Sequence, residues 1–426
     1  MKLVPDSDRV LADLREIHER FGGPGGARRL AWSPDWVAAR EWLRGRLAEL
    51  GGRGVTVQED EAGNLWASLP AAGDAPPGFV IVGSHIDAVP SGGWLDGVLG
   101  VTAALEILRT LAEADAPPPV EVRLVDWADE EGARFGRSLV GSSAVAGTLD
   151  PDDVRDLLDA EGTRLQDAMA SCGVDLDEAH RARARLDGAL AYLELHIEQG
   201  PVLLDAGRPA SAVSGTVGDE RYLVTFRGQA AHAGSTPMRL RRDALAAAAT
   251  AALEIREVGI RHEGVTTVGA MRSEPAVITA VAGMTEMMLD LRHLDADTLA
   301  TMLAECLAAC EAAAARFDCT VEPRRVFGAT PTPFHPRLVE LARAAVAEAG
   351  GGDGEPLPSG PLHDATEIGR LVPTVMVFAQ SDPPISHTAV EDSPEPALRI
   401  AIEAYVRTVG QALDLAADGA LIEAAR

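Results

Sequence analysis

The apolar pattern predicts an α/β protein, with a mostly parallel-sheet first domain and a ferredoxin-like (βαββαβ) second domain inserted into it. Three observations carry this expectation. The apolar run at 79–82, the helical stretch at 98–114 and the strand-like run at 120–127 follow one another through short connections, a βαβ signature. From about Ser214 the periodicities instead run strand, helix, strand, strand, helix, strand, the order of a split βαβ unit. The chain's 426 residues also exceed what one ordinary core organises.

Taken in order, residues 7–21 and 35–50 read as amphipathic helices, and VTVQEDEAGNLWASL as strands about a turn at Ala62-Gly63-Asn64. Phe79-Val80-Ile81-Val82 lacks the polar alternation of a half-exposed strand, as expected for a parallel strand covered on both faces. The prolines at 117–119 end the helix that follows it. In the second region strands are expected at 221–227, 265–271, 284–291 and 319–323, with helices at 240–258 and 295–315. This places the inserted domain at 212–327 and the catalytic domain at 1–211 and 328–426. The last part resumes an α/β pattern, with a helix at 338–349, a strand at 374–378 and a helix at 394–415.

Composition excludes several classes. An apolar fraction of 46% and a charged fraction of 24% are those of a globular protein. A net charge of −27 opposes nucleic-acid binding, which needs a basic surface to meet phosphates. Cys172, Cys306, Cys310 and Cys319 form no disulfide framework, and Cys306 and Cys310, four apart on a helix, read as packed thiols. The charged start MKLVPDSDRVLADLREIHERF lacks the apolar core of a signal peptide, and no uninterrupted apolar run approaches membrane-spanning length. The expectation is a cytoplasmic protein that binds neither nucleic acid nor membrane.

The chemistry-bearing residues recur where an apolar run gives way to a glycine-rich or polar turn: His85-Ile86-Asp87, Asp96, Asp129-Glu130-Glu131, His196 and His387. α/β enzymes present their chemistry at such carboxyl ends of strands. Together these residues look like the ligand set of a two-metal hydrolase. Asp87 is close enough to His85 to fix its tautomer. Asp96, with two oxygens, could bridge two cations or simply cap the helix after it. Of the pair Glu130-Glu131, one could ligate while its neighbour reaches the attacking water; elsewhere such a pair is ordinary solvated surface.

The motifs GSHIDAV, DEEGARF, HIEQGP, AHAGSTPM and SHTAVED, in this order, together with Gly26-Ala27-Arg28-Arg29-Leu30, Asp60 and Gly63-Asn64-Leu65, resemble the hydantoinase/carbamoylase branch of the dinuclear-metal peptidase and amidase clan. N-carbamoyl-L-amino-acid hydrolases, yeast-type β-ureidopropionases and allantoate amidohydrolases belong to that branch, and the resemblance spans nearly the whole chain. It implies two divalent metal ions, zinc first, with manganese, cobalt or nickel as alternatives. His85 and His196 would hold one, Glu131 and His387 the other, and Asp96 would bridge them. Glu130 would be the general base and acid, and Asp87 would orient His85. His232 would stabilise the oxyanion, Arg292 would bind the substrate carboxylate, and Gln199 would lie beside the amide or ureido group. The resemblance also implies a homodimer acting on a small carboxylate-bearing amide or ureido substrate, with N-carbamoyl-L-amino acids foremost.

The chain departs from the branch around the expected substrate pocket. Thr279 stands where an asparagine is usual, Leu362 replaces a glycine in SGPLHDA, and Pro383-Pro384 replaces Gly-Gly before Ile-Ser-His. These changes motivate alternative substrates for the same machinery: an N-acyl amino acid, a dipeptide, an allantoate-like ureide or a specialised-metabolite amide. A catalytically silent binding protein is the remaining alternative, opposed by the complete ligand set.

Overall fold

The computed structural model describes residues 1–73 and 75–423. It divides into two compact units, Met1–Gly215 with Phe334–Arg426, and Thr216–Pro333.

The first unit is mixed α/β around a largely parallel sheet. Its main strands are β1 (Thr56–Glu59), β2 (Leu65–Leu69), β3 (Phe79–His85), β4 (Glu121–Trp127), β5 (Ala189–Ile197), β6 (Ala210–Thr216) and, near the carboxyl end, β11 (Thr374–Ala379). They lie in the order β1-β2-β4-β3-β5-β11-β6. The central four are mutually parallel: β3 pairs with β4 and β5, and β11 with β5. The flanking β1, β2 and β6 run antiparallel to their neighbours.

All seven residues of β3 are buried. Val80 and Val82 point into one apolar cluster, and Phe79 and Ile81 into another on the opposite face. Val375 and Val377 against Met376 and Phe378 on β11 divide in the same way. A strand covered on both sides has no place for polar alternation, which is why these runs are apolar throughout. The helices Val98–Glu113 and Glu395–Ala417 cover the first face. The short helix Asp364–Ile368 joins the second cluster through Ala365 and Ile368.

In the second unit four strands form one antiparallel sheet: β7 (Gly218–Arg227), β8 (Val265–Glu274), β9 (Met284–His293) and β10 (Thr320–Ala329), in the order β10-β7-β9-β8. The helices Ala244–Arg261 and Ala296–Arg316 pack on it through a separate apolar cluster. β10 outruns the strand expected from sequence, pairing with β7 as far as Ala329 opposite Asp219. The division between units accordingly falls at Pro333, beyond the expected 327.

Helix Ala296–Arg316 is long and apolar enough, by length and composition, to cross a membrane. Asp297, Glu305 and Glu311 interrupt the run, which is why no spanning segment was expected from sequence. Its buried residues Leu299, Met302, Cys306, Cys310, Ala313 and Ala314 recur at helical spacing and belong to the unit's own core.

Candidate active site

The four parallel strands bring the expected ligands to one place. His85 is the last residue of β3, His196 the penultimate residue of β5, Glu130 and Glu131 lie in the turn after β4, and His387 lies in the loop after β11. Asp96 precedes the helix Val98–Glu113. His85, Asp96 and His196 form one group with ligand atoms within 4.8 Å of one another, and Asp96, Glu131 and His387 a second.

The two oxygens of Asp96 face different groups. Oδ1 lies 3.1 Å from His196 Nε2 and 3.8 Å from His85 Nε2. Oδ2 lies 3.5 Å from His387 Nε2, which is itself 3.3 Å from Glu131 Oε2. One carboxylate shared between two donor sets is the arrangement a dinuclear centre needs. Gly97, at φ +67°, closes the loop against His85; a Cβ there would sit 2.4 Å from the imidazole Cε1.

The tautomers suit a cation. His196 Nδ1 lies 2.9 Å from the Ile197 carbonyl, which places the ring proton on Nδ1 and turns the Nε2 lone pair toward Asp96. Buried Nε2 makes no hydrogen bond among the described residues although Asp96 is close. Two electron-rich atoms in that position require a proton or a metal between them. Burial would push the His196 imidazole down, and Asp96 outweighs it and pulls the group up. His363, packed against His196 with the rings tilted by 58° and 4.4 Å between centroids, is held well below the usual imidazole range by burial and by His196. It therefore adds a neutral wall.

Asp87, expected to orient His85, meets the ring through its backbone carbonyl rather than its carboxylate. The His85 Nδ1 approaches the Asp87 carbonyl at 3.2 Å; the carboxylate, at 3.6 Å, is too far for a hydrogen bond to the ring. The carboxylate instead accepts the backbone N–H groups of Glu130 and Glu131, both at 3.2 Å. It thereby aims the glutamate pair. Glu130 Oε2 lies 3.7 Å from His85 Nε2 and is nearly buried. Burial pushes the carboxyls of Glu130 and Glu131 well above their ordinary range, with Asp96 adding to the effect on Glu131. Asp96 goes the other way: burial would raise it, but the imidazoles of His196, His85 and His387 outweigh burial and hold it low.

The expected substrate residues fall in both units. Gln199, at φ +60°, donates through Nε2 to Asp96 Oδ2 at 2.9 Å and to Ser386 Oγ at 3.1 Å, so its amide is engaged with the bridging carboxylate. Leu362 is half-buried immediately before His363. In the second unit His232 and Thr279 meet at a short two-stranded antiparallel sheet: Ala231–His232 pairs with Ala280–Val281, and Ala233 N–H donates to the Thr279 carbonyl at 2.8 Å. His232 Nδ1 accepts from Gly234 and Ser235 N–H groups at 3.1 and 3.2 Å, which leaves its proton on exposed Nε2. Arg292 pairs with Asp290 on the same strand through Nε–Oδ1 at 2.9 Å and Nη2–Oδ2 at 3.2 Å.

Sequence reasoning missed the supports. Asn64 Oδ1 accepts Ala128 N–H at 2.9 Å, and Trp32 Nε1 donates to Asp129 Oδ2 at 2.7 Å, so the turn carrying Glu130 is held on both sides. Asp60 in turn accepts from Asn64 Nδ2 at 2.9 Å and Trp66 Nε1 at 2.8 Å. Glu391 was passed over as part of SHTAVED, yet its carboxylate accepts from Asp96 N–H and His387 N–H at 3.2 and 3.3 Å. A signal existed for Asn64: it closes the Ala62-Gly63-Asn64 turn between two strand-like runs and, with Asp60, belongs to the segments that carry the family resemblance.

Fold and site together fit a hydrolase of mixed α/β architecture with a centre suited to divalent cations. The chain belongs to peptidase family M20/M25/M40, whose model matches residues 81–411. It is 35% identical over 411 residues, 95% of this chain and 98% of the relative, to N-carbamoyl-L-amino acid amidohydrolase of Geobacillus stearothermophilus. It is also 35% identical over 369 residues, 86% of this chain and 88% of the relative, to allantoate amidohydrolase of Escherichia coli (strain K12). Among solved structures, a hydantoinase/carbamoylase family amidase from Burkholderia ambifaria matches with TM-score 0.83 and 34% identity over 98% of both chains.

Proposed function

We propose that this amidohydrolase cleaves the ureido group of N-carbamoyl-L-amino acids, giving the amino acid, ammonia and carbon dioxide. The observation that carries the reading is Asp96, whose two oxygens face His85 and His196 on one side and His387 on the other, with Glu130 adjoining. In this reading His85, His196 and Asp96 hold one divalent cation, and Asp96, Glu131 and His387 the other. Imidazole and carboxylate donors suit zinc, with manganese, cobalt or nickel accepted by the same set. When bound, such cations polarise the scissile carbonyl and acidify the attacking water.

The remaining work belongs to side chains. Glu130 takes a proton from the attacking water and returns it to the leaving nitrogen, which conserves protons over the cycle. Its raised affinity for a proton, set by burial, suits an acceptor that must also serve as a donor. His232, with its proton on Nε2, is the donor to the developing oxyanion. Arg292 binds the substrate carboxylate by its guanidinium fork, in exchange for or alongside Asp290. Gln199 and Asp87 hold Asp96 and the glutamate pair in register, and Thr279 and Leu362 shape the pocket. The second unit, Thr216–Pro333, with its 4-1-3-2 strand order, is in this reading a ferredoxin-like lid and dimerisation domain, set into a catalytic domain of Met1–Gly215 and Phe334–Arg426. The working form is a cytoplasmic homodimer with a small-molecule substrate and no nucleic-acid or membrane partner.

A second reading, an allantoate-like ureide or an N-acyl amino acid, is favoured by the equal identity to the Escherichia coli allantoate amidohydrolase and by Thr279 and Leu362. A zinc- or manganese-loaded panel of N-carbamoyl, N-acyl and allantoate substrates separates them. The main reading expects ammonia and carbon dioxide in equal amounts from N-carbamoyl amino acids. Turnover confined to N-acyl substrates, which release neither, would reject it.

A further inference from the structure

Glu391 is 2% exposed and lies 295 residues from Asp96 in sequence, yet its carboxylate joins the loops that carry two of the proposed ligands. Oε1 accepts the Asp96 N–H at 3.2 Å. Oε2 accepts the His387 N–H at 3.3 Å and the Ser386 hydroxyl at 2.5 Å. Ser386 Oγ in turn accepts from Gln199 Nε2 at 3.1 Å, and the same Nε2 donates to Asp96 Oδ2 at 2.9 Å. Glu391, Ser386, Gln199 and Asp96 thus form a hydrogen-bonded ring that closes through the Asp96 backbone N–H. Gly93 makes room for it: a Cβ there would stand 2.0 Å from Glu391 Oε1.

The ring does not serve the two donor sets equally. His85 and His196 are each 1% exposed and rise from buried strands, so core packing holds their rings. His387 has a side chain 52% exposed, and its backbone is in the left-handed region at φ +59°. Packing cannot fix such a residue; the hydrogen bond from its N–H to Glu391 ties it to the fold. Asp96 has further anchors in Gln199 and in the helix start, where Val98 N–H meets the Asp96 carbonyl at 2.7 Å.

We propose that Glu391 is a positioning residue for the second half-site, holding His387 against Asp96 and Glu131, so that its loss releases the cation of that half-site and spares the one at His85, Asp96 and His196. The inference rests on the dinuclear reading given above.

Glu391→Gln tests it with almost no change of volume. The amide keeps one acceptor but presents N–H groups where the Ser386 hydroxyl and the His387 N–H now donate. Chelator-stripped wild type and variant are titrated with zinc(II) against a competing chromophoric chelator, and the melting temperature of each stripped protein is recorded. Wild type is expected to take up two equivalents. The variant should take up the first as wild type does and bind the second about 10- to 100-fold more weakly, the range typical for loss of a partner that orients a ligand. Ser386→Ala, which leaves the carboxylate in place, should weaken the same second step by a smaller factor, and it carries the test if Glu391→Gln does not fold. A second equivalent bound as tightly as in wild type, or equal weakening of both steps in a variant that melts like wild type, would overturn the assignment. Fewer than two equivalents in wild type would instead overturn the dinuclear reading on which it depends.

Discussion

At the residue scale, the division of labour follows from where each carboxylate sits relative to the imidazoles. Asp96 is surrounded by His85, His196 and His387, so it stays ionised in spite of its burial. Glu130 is buried with one imidazole beside it and with Asp364, Glu131 and Asp87 as acidic neighbours, and it is driven toward the protonated form. On the proposed reading, chemically similar groups thus receive opposite tasks, a fixed anion and an exchangeable proton carrier. Glu130→Gln keeps the shape and removes the proton carrier. It should retain bound zinc while turnover falls about 100- to 10,000-fold. Metal analysis paired with single-turnover kinetics checks this, and a loaded variant with full turnover would remove Glu130 from the mechanism.

At the scale of elements, the short turn after β4 matters more than any strand. Asp129 holds φ +56°, a conformation that side chains disfavour, and the turn is fixed by Asn64 on Ala128, Trp32 on Asp129 and Asp87 on Glu130 and Glu131. Asn64→Ala leaves the buried Ala128 N–H and part of Asp60 without partners, so stability should fall by about 1–3 kcal/mol. Because the turn carries Glu130, kcat should fall with little change in KM; a denaturation midpoint and steady-state kinetics separate the two effects. A pure stability loss with unchanged kcat would show that Asn64 only supports the fold. On helix Ala296–Arg316, burial pushes the thiols of Cys306 and Cys310 up to about 12. A thiol reagent at pH 8 should therefore leave both unmodified in the native protein and reach all four cysteines only in denaturant. Rapid native modification at either would contradict their packing in the core of the second unit.

For the molecule as a whole, the first unit concentrates buried acids at one end of its sheet. Burial, reinforced by Asp87, pushes Asp129 up to about 8, and burial with Asp96 pushes Glu391 up to about 7. An acid whose folded pKa lies above its unfolded value holds more protons folded than unfolded between the two, so stability falls as pH rises through that window. The windows run from 3.8 to about 8 for Asp129 and from 4.5 to about 7 for Glu391. Chelated protein should therefore lose melting temperature steadily from pH 5 to pH 8. Zinc-loaded protein should show a flatter profile and a higher melting temperature, since cations favour the ionised carboxylates and bind only the folded state. Calorimetry at several pH values with and without chelator checks this, and a chelated protein that gains stability over that range would reverse the sign.

Much of this was legible in the chain before folding. β3 and the helix after it announce themselves because a strand buried on both faces must be apolar, and ligands placed at strand ends leave His85 and His196 at the close of apolar runs. The set His85, Asp96, Glu130, Glu131, His196 and His387 and the order of elements in the second unit follow from local pattern and motif, because each is written in a few consecutive residues. Only the tertiary structure decided how those residues are held. Asn64 acting on Ala128, Asp87 on the glutamate pair, Gln199 on Asp96 and Glu391 on Asp96 join segments from 43 to 295 residues apart. A hydrogen bond across such distances leaves no periodicity in the sequence, since it depends on the sheet order that brings the strand ends together.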